Sequence, residues 1–241
     1  MKNSTEVSPQ TYARVGGLLY LFVIVAAGFA EAYARGKLIV SGDAAATASN
    51  IQAHETLFRL GFAADLSNLA CDMALAVILY VLVRPVNRNL ALLTTVMKLA
   101  ADIINVGVLL FMFVGLRILV DGSFLKGFDP QQVQALALLM FKLHGSGFTI
   151  SMVFFAIALI ILGYLIYKSG YFPKALGILV MLSGPGYLFN SYARFLAPPL
   201  ADALYPWSLL PGFVAELALC LWLLIKGVDL SKWQEKARLN G

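Results

Sequence analysis

Stretches of about twenty apolar residues recur along this chain, long enough at about 1.5 Å per residue to cross the roughly 30 Å of a bilayer's hydrocarbon. In hydrocarbon every backbone N–H and C=O must be paired within its own segment or in a closed barrel, and runs of this length select helices over strands. Composition points to the same solvent. With 60% hydrophobic and 13% charged residues among 241, there is too little polar surface to cover a soluble globule of this size. The expected fold is all-α: one polytopic membrane helical bundle of six transmembrane helices, plus one or two short outer interfacial helices.

The expected spans are about 11–35, 57–84, 90–120, 146–168, 174–197 and 209–227. Pro85 stops the second, because its ring and missing N–H cannot continue a helix. Asp121-Gly122-Ser123 ends the third, and Asp129-Pro130 restarts a helix with an N-cap and a first-position proline. From Gln131 to Tyr167 the helical pattern is longer than one crossing needs. Gly145-Ser146-Gly147 therefore predicts a break between an outer, partly embedded helix (131–143) and span four. Gly184-Pro185-Gly186 predicts a kinked or unwound turn in span five. After span one, Ser41-Gly42-Asp43 opens an Ala-rich stretch to His54, with Asp43 expected to accept the free N–H groups of a short outer helix. Ala30-Glu31-Ala32 resembles a signal-peptide cleavage site, and the expectation is a retained helix.

The formal charge of +5 matters by where it sits. Lys2, Arg14, Arg84, Arg88, Lys168, Lys174, Lys226, Lys232, Lys236 and Arg238 fall on one expected face. Arg35, Lys37, Arg59, Lys126 and Arg194 fall on the other. That bias, ten against five, places both termini in the cytoplasm, in a multi-pass protein of the cytoplasmic (inner) membrane, and requires an even number of crossings. Nucleic acid is not an expected partner; the lipid bilayer is.

Ionisable groups at membrane depth are costly and rarely accidental. On a helix, positions i, i+3 or i+4 and i+7 share a face. Span two so aligns Asp65, Asn68 and Asp72; span three Lys98, Asp102 and Asn105; span five Tyr187, Asn190, Ser191 and Arg194. Glu31 ends span one, His144 precedes the glycines of span four, and Glu216 lies in span six. Counted outward from the Pro85–Arg88 turn, Asp72 and Asp102 fall at nearly the same depth, with Lys98 one turn nearer the cytoplasm. Two carboxylates in low dielectric resist joint ionisation, and an ammonium can neutralise one while the other holds a proton. The arrangement suits proton exchange in a water-accessible pocket. It equally suits an ion pair with a neutral carboxylic acid that fixes helix packing.

Strong enzyme motifs are absent: there is no HExxH, GxSxG or Walker loop. No metal site and no cofactor are expected. Cys71 and Cys220 have no close-spaced partners and read as small buried hydrophobes. Gly16-Gly17 reads as a close helix-packing pair. Glu55 and Arg59, one turn apart, read as an interfacial ion pair, and Arg117 as a residue that snorkels to headgroups.

The segments Arg14-Val-Gly-Gly-Leu-Leu-Tyr, Ile39-Val-Ser-Gly-Asp-Ala-Ala-Ala-Thr-Ala, Leu57-Phe-Arg-Leu-Gly-Phe-Ala-Ala-Asp65, Arg84-Pro-Val-Asn-Arg and Gly163-Tyr-Leu-Ile-Tyr-Lys-Ser-Gly-Tyr-Phe-Pro resemble the bacterial membrane family called domain of unknown function 4386. The resemblance implies a multi-spanning inner-membrane protein and supplies no catalytic residues. The functional expectation is an outward-opening intramembrane polar pocket for a small or lipid-like ligand, in a carrier or sensor with proton coupling. Asp65, Asp72, Asp102 and Glu216 are its acidic groups and Lys98 and Arg194 its counter-charges. Two alternatives stand beside it: an intramembrane enzyme acting on a lipid or quinone, and a structural subunit without a ligand. The oligomeric state is left open.

Overall fold

The computed structural model describes residues 7–121, 125–205 and 207–240. Among these the chain is helical, with no strand. The first helix, α1 (Pro9–Gly28), passes into a π-helical segment, Phe29–Arg35, and then a last turn, α2 (Gly36–Leu38). There follow α3 (Ala44–Ala53), α4 (Glu55–Val83), α5 (Arg88–Val120), α6 (Pro130–Ser169), α7 (Lys174–Leu196), α8 (Pro198–Leu204), α9 (Leu210–Ile225) and α10 (Leu230–Asn240). Four stretches are long and apolar enough to cross a membrane: Pro9–Leu38, α4, α5 and α6. The chain is thus a helical membrane protein. Gly122, Ser123 and Lys2, which figure in the expected turns and charge bias, lie outside the described residues.

Local chemistry sets the helix ends where the sequence implies. Asp43 accepts a hydrogen bond from the Ala46 N–H at 2.9 Å and starts α3. Asn87 does the same for Leu90 at the head of α5. At the head of α6 the Gln132 side chain reaches back to accept from the Asp129 N–H at 3.1 Å. Gly227 ends α9 with φ +72°, its N–H and that of Lys226 both donating to the Trp222 carbonyl.

One expectation is corrected outright and one in part. The break at Gly145-Ser146-Gly147 does not occur: α6 is one helix of 40 residues. Gly147 serves close packing instead, since a Cβ there would lie 2.1 Å from Val108 Cγ1 on α5. Ser146 and Thr149 donate their hydroxyls to carbonyls one turn back, Lys142 and Gly145, and so stay within the helical pattern. Likewise α7 continues through Gly184-Pro185-Gly186 without unwinding. A Cβ on Gly184 would meet the Ala156 carbonyl of α6 at 2.7 Å, so this glycine permits close helix contact. The C-terminal residues, which the sequence marks as a source of positive charge, fold into α10, and residues 198–204 form the short helix α8.

By contacts the chain divides into two compact units, with boundaries inside the long helices. Unit 1 holds residues 1–21, 71–102 and 151–241; unit 2 holds 22–70 and 103–150. Unit 2 has an apolar core that includes Leu38, Ile51, Phe58, Met112, Leu116 and Phe141. There Gly61 admits Ala34 and Gly115 admits the Phe141 ring, in positions a Cβ would occupy.

In unit 1, α7 packs along α9 and α8. Gly16 lies against Ile78, and Gly17 meets the Leu224 backbone, as a close helix-packing pair should. One end of the unit is built on carbonyls that helix geometry leaves over. Pro85 ends α4, Val86 N–H turns back to Val83, and the Leu82 carbonyl instead accepts from the Tyr171 hydroxyl at 2.8 Å and the Trp233 indole at 3.0 Å. Asn240 donates to the Pro85 carbonyl at 2.9 Å. Gln10 donates to the Lys226 carbonyl and accepts from Val228 N–H, both at 3.0 Å. The N-terminal helix, the α4–α5 turn, the α6–α7 turn and α10 therefore meet at one end.

Asp229 opens α10. The Ser231 hydroxyl and the Lys232 N–H hold its carboxyl below the usual carboxylate range. Because that pKa is depressed in the folded chain, the cap is in place above about pH 4 and is lost as pH falls further.

The closest approach of a glycine to another helix's backbone joins α6 to α7. A Cβ on Gly163 would sit 2.2 Å from the Met181 backbone nitrogen, and one on Gly177 would sit 2.4 Å from that of Tyr167. Backbone cannot yield as a side chain can. Gly163→Ala is expected to lower the thermal unfolding midpoint of the detergent-solubilised protein, at a cost of about 1–3 kcal/mol or more. Gly107→Ala, which meets open space, is expected to leave it within about 1 kcal/mol of wild type.

Candidate functional site

The residues expected to form a site gather in two clusters, one in each unit. In unit 1, α4 supplies Asp72 and α5 supplies Lys98 and Asp102. The Lys98 ammonium lies 2.6 Å from Asp72 Oδ2, and Lys98 is only 6% exposed. Asp102 is 2% exposed. Its carboxyl lies close to that of Asp72, and Oδ2 has no hydrogen-bond partner among the described residues. Two carboxyls so placed in low dielectric resist joint ionisation.

The cluster extends through aromatic rings. Lys98 Nζ sits 5.0 Å from the Phe155 ring centroid, and Phe155 meets Tyr187 edge-on at 5.6 Å. The Tyr187 hydroxyl donates to Glu216 Oε1 at 2.8 Å, and buried Tyr20 from α1 lies close to Glu216. Tyr187 reaches Glu216 because position 212, one turn before it on α9, is glycine; a Cβ there would fall 2.4 Å from the ring. Asp72 contacts the ammonium directly, and the carboxyls of Asp102 and Glu216 lie close enough to feel its charge. If all ionised, a net negative charge would be stranded in low dielectric, so the arrangement can hold exchangeable protons.

In unit 2 the π-helical segment carries Glu31 and Arg35. The Arg35 guanidinium binds Glu31 through Nε at 2.7 Å and clasps both oxygens of Asp65 on α4 through its two terminal nitrogens. Asp65 is nearly buried, whereas the Glu31 side chain is 67% exposed. Glu31 and Arg35 border a cavity of about 310 Å³ that also receives Lys142 and His144 from α6. Its apolar wall includes Ile39, Met112, Leu138, Phe141 and Phe148. π-Helical turns recur at functional sites because they re-aim side chains that a regular helix would point elsewhere.

The other expected site residues stand apart from both clusters' ion pairs. Asn190 accepts from the Ser208 hydroxyl at 3.3 Å. Arg194 pairs with Asp202 at 2.8 Å and lies over the Tyr205 ring. Ser191 is buried, and its hydroxyl has no partner among the described residues. Asn68 and Asn105 are half-buried on α4 and α5. Glu55 and Arg59 pair at 2.6 Å as expected, and Arg117 pairs with Asp121.

Sequence reasoning missed Arg35 and Tyr20. Arg35 was read as a loop-side charge, although its spacing of four from Glu31 marks an ion pair on a helix. Tyr20 carried no signal, being one aromatic residue in an apolar run.

A membrane-embedded helical protein with charged groups paired inside it is the class that fold and site define. The family "Domain of unknown function (DUF4386)" matches residues 15–227, and the chain belongs to that family. It is similar to an uncharacterised protein of Archaeoglobus fulgidus, 28% identical over 166 residues, which cover 67% of this chain and 80% of that protein. No solved structure matches.

Removing the ammonium alone should expose the cost of the unit 1 cluster. Lys98→Met is expected to lose about 3–5 kcal/mol of stability, because it leaves Asp72 buried without its partner. Lys98→Met with Asp72→Asn should recover much of that loss. A double-mutant cycle on thermal unfolding in detergent measures both.

Proposed function

We propose that this chain is an inner-membrane carrier or sensor that binds a small or lipid-like ligand with an anionic head and an apolar tail. In this reading α7 and α9 cross the bilayer as a pair beside the four longer spans, giving six crossings with both termini in the cytoplasm. The basic turn at Arg84 and Arg88 and the tail, meeting at one end of unit 1, support that orientation.

The observation that carries the proposal is the unit 2 cavity, where Arg35 is held against an apolar wall. Arg35 has two carboxylate partners of unlike standing. Asp65 is nearly buried and clasped at both oxygens; Glu31 is mostly exposed and held at one nitrogen. An incoming carboxylate or phosphate displaces Glu31 while Asp65 keeps the guanidinium in place. Lys142 adds a second positive charge, and Met112, Leu138, Phe141 and Phe148 offer an apolar surface to a hydrocarbon tail. The three carboxyls around Lys98 give the protein exchangeable protons, which supports proton coupling. His144 and Glu31 on the same cavity support the second reading, acid–base chemistry on a lipid or quinone.

Laurate is a suitable probe, with dodecanol as its uncharged counterpart, and calorimetry on the purified protein in detergent is the measurement. Wild type is expected to bind laurate saturably and dodecanol at least about tenfold more weakly, a difference of roughly 1.4 kcal/mol. Arg35→Gln combined with Asp65→Asn, which leaves no unpaired buried charge, should abolish the preference. Equal binding of the two probes, or a preference that survives the double variant, would overturn the proposal. Recovery of chemically altered probe would move the assignment to the enzyme class.

A further inference from the structure

A second cavity, of about 380 Å³, lies in unit 1 where α4 turns into α5, and its walls include Tyr80, Arg84, Arg88, Trp233 and Asn240. It shares no residue with the cavity at Arg35. Two of its side chains are fixed by backbone carbonyls: Trp233 by Leu82 and Asn240 by Pro85. α10 therefore forms a set wall. The two arginines are in a different position. Arg35, Arg59, Arg117 and Arg194 each reach a carboxylate, whereas Arg84 and Arg88 form no ion pair among the described residues, and no acidic residue lines the cavity. The nearby Asp229 is engaged with Ser231 and Lys232.

Two unpaired guanidinium groups beside a hollow attract an anion, and their planar donor forks match phosphate oxygens. The surroundings select a lipid over a free ion. Tyr80 and Trp233 are the amphipathic aromatics that sit at headgroup depth. One turn further into the helices, at the i−3 position from Tyr80 and the i+4 position from Arg88, Val77 and Leu92 are each 54% exposed. They offer acyl chains a path that a soluble phosphate would not use. Along α10, Lys232, Lys236 and Arg238 add positive charge, while Leu230 and Leu239 are exposed, as in a helix lying in the membrane interface.

We infer that the pocket formed by Arg84, Arg88, Tyr80 and Trp233 is a binding site for the phosphodiester headgroup of an anionic glycerophospholipid, which fastens α10 to the membrane surface.

Native mass spectrometry of the intact chain released from detergent tests this, with phosphatidylglycerol, phosphatidylcholine and soluble glycerol phosphate titrated separately. Wild type is expected to retain phosphatidylglycerol at least about tenfold better than phosphatidylcholine, with glycerol phosphate unable to displace it. Arg84→Gln with Arg88→Gln should remove the preference, and Arg88→Lys, which keeps charge but not the fork, should remove part of it. Laurate binding by these variants should match wild type, which also reports that they are folded. Should the double variant fail to fold, Arg84→Lys with Arg88→Lys carries the test, and a preference undiminished in that protein would overturn the inference. An undiminished preference in the glutamine variant would overturn it equally. So would equal retention of the two lipids, or glycerol phosphate bound as tightly as phosphatidylglycerol, which would mark a site for free anions.

Discussion

An ammonium buried among apolar helices must find its counter-charge on another helix, and Lys98 on α5 finds Asp72 on α4. That contact fixes the two helices in register. A slip by one residue would turn Lys98 about 100° away and leave two unpaired charges in low dielectric. The rest of the cluster follows from it. Phe155 covers the ammonium, Tyr187 packs on Phe155, and Glu216 takes the Tyr187 hydroxyl, so one ionic contact sets the facing sides of α4, α5, α6, α7 and α9 in unit 1.

Glycine is the complement of that polar order. Where helices meet without charge they meet through backbone, at Gly17, Gly163, Gly177 and Gly184. Lipid tails are as apolar as leucine, so burying more leucine would add little drive to associate; close packing and interhelical hydrogen bonds supply it instead. Helix ends follow the same economy. The Leu82 and Pro85 carbonyls, left over by a proline stop, are where the loop at Tyr171 and the terminal helix dock.

The all-α class and the limits of the long helices were legible in the sequence because length, apolar runs, Pro85 and the caps at Asp43 and Asp129 are local signals. The nearness of Asp72, Lys98 and Asp102 was legible from helical spacing and depth counted from one turn, though not which carboxylate takes the ammonium. The continuity of α6 was not. Gly-Ser-Gly breaks a helix in water, but against Val108 the missing side chain at Gly147 is what allows contact, and that depends on a neighbour 39 positions away in the chain. The role of Arg35 was hidden for a related reason. Its partner Asp65 lies 30 residues away, and a regular α-helical count through residues 29–35 does not describe the turn that aims it. Arg194 was drawn to the site by its stripe, yet Asp202, on a short helix the sequence did not announce, captures it.

The π-helical turn in the first span has a bearing on how this family's sequences are to be compared. A ring closed from i to i+5 holds one residue more than an α-turn, so everything beyond it is rotated by about one residue's worth, roughly 100°, relative to an uninterrupted helix. A relative lacking a single residue between 29 and 35 would close that bulge into regular helix and bring a different side chain opposite Asp65. Alignments of this stretch should therefore place gaps inside the helix rather than at its ends, and length there is as informative as identity.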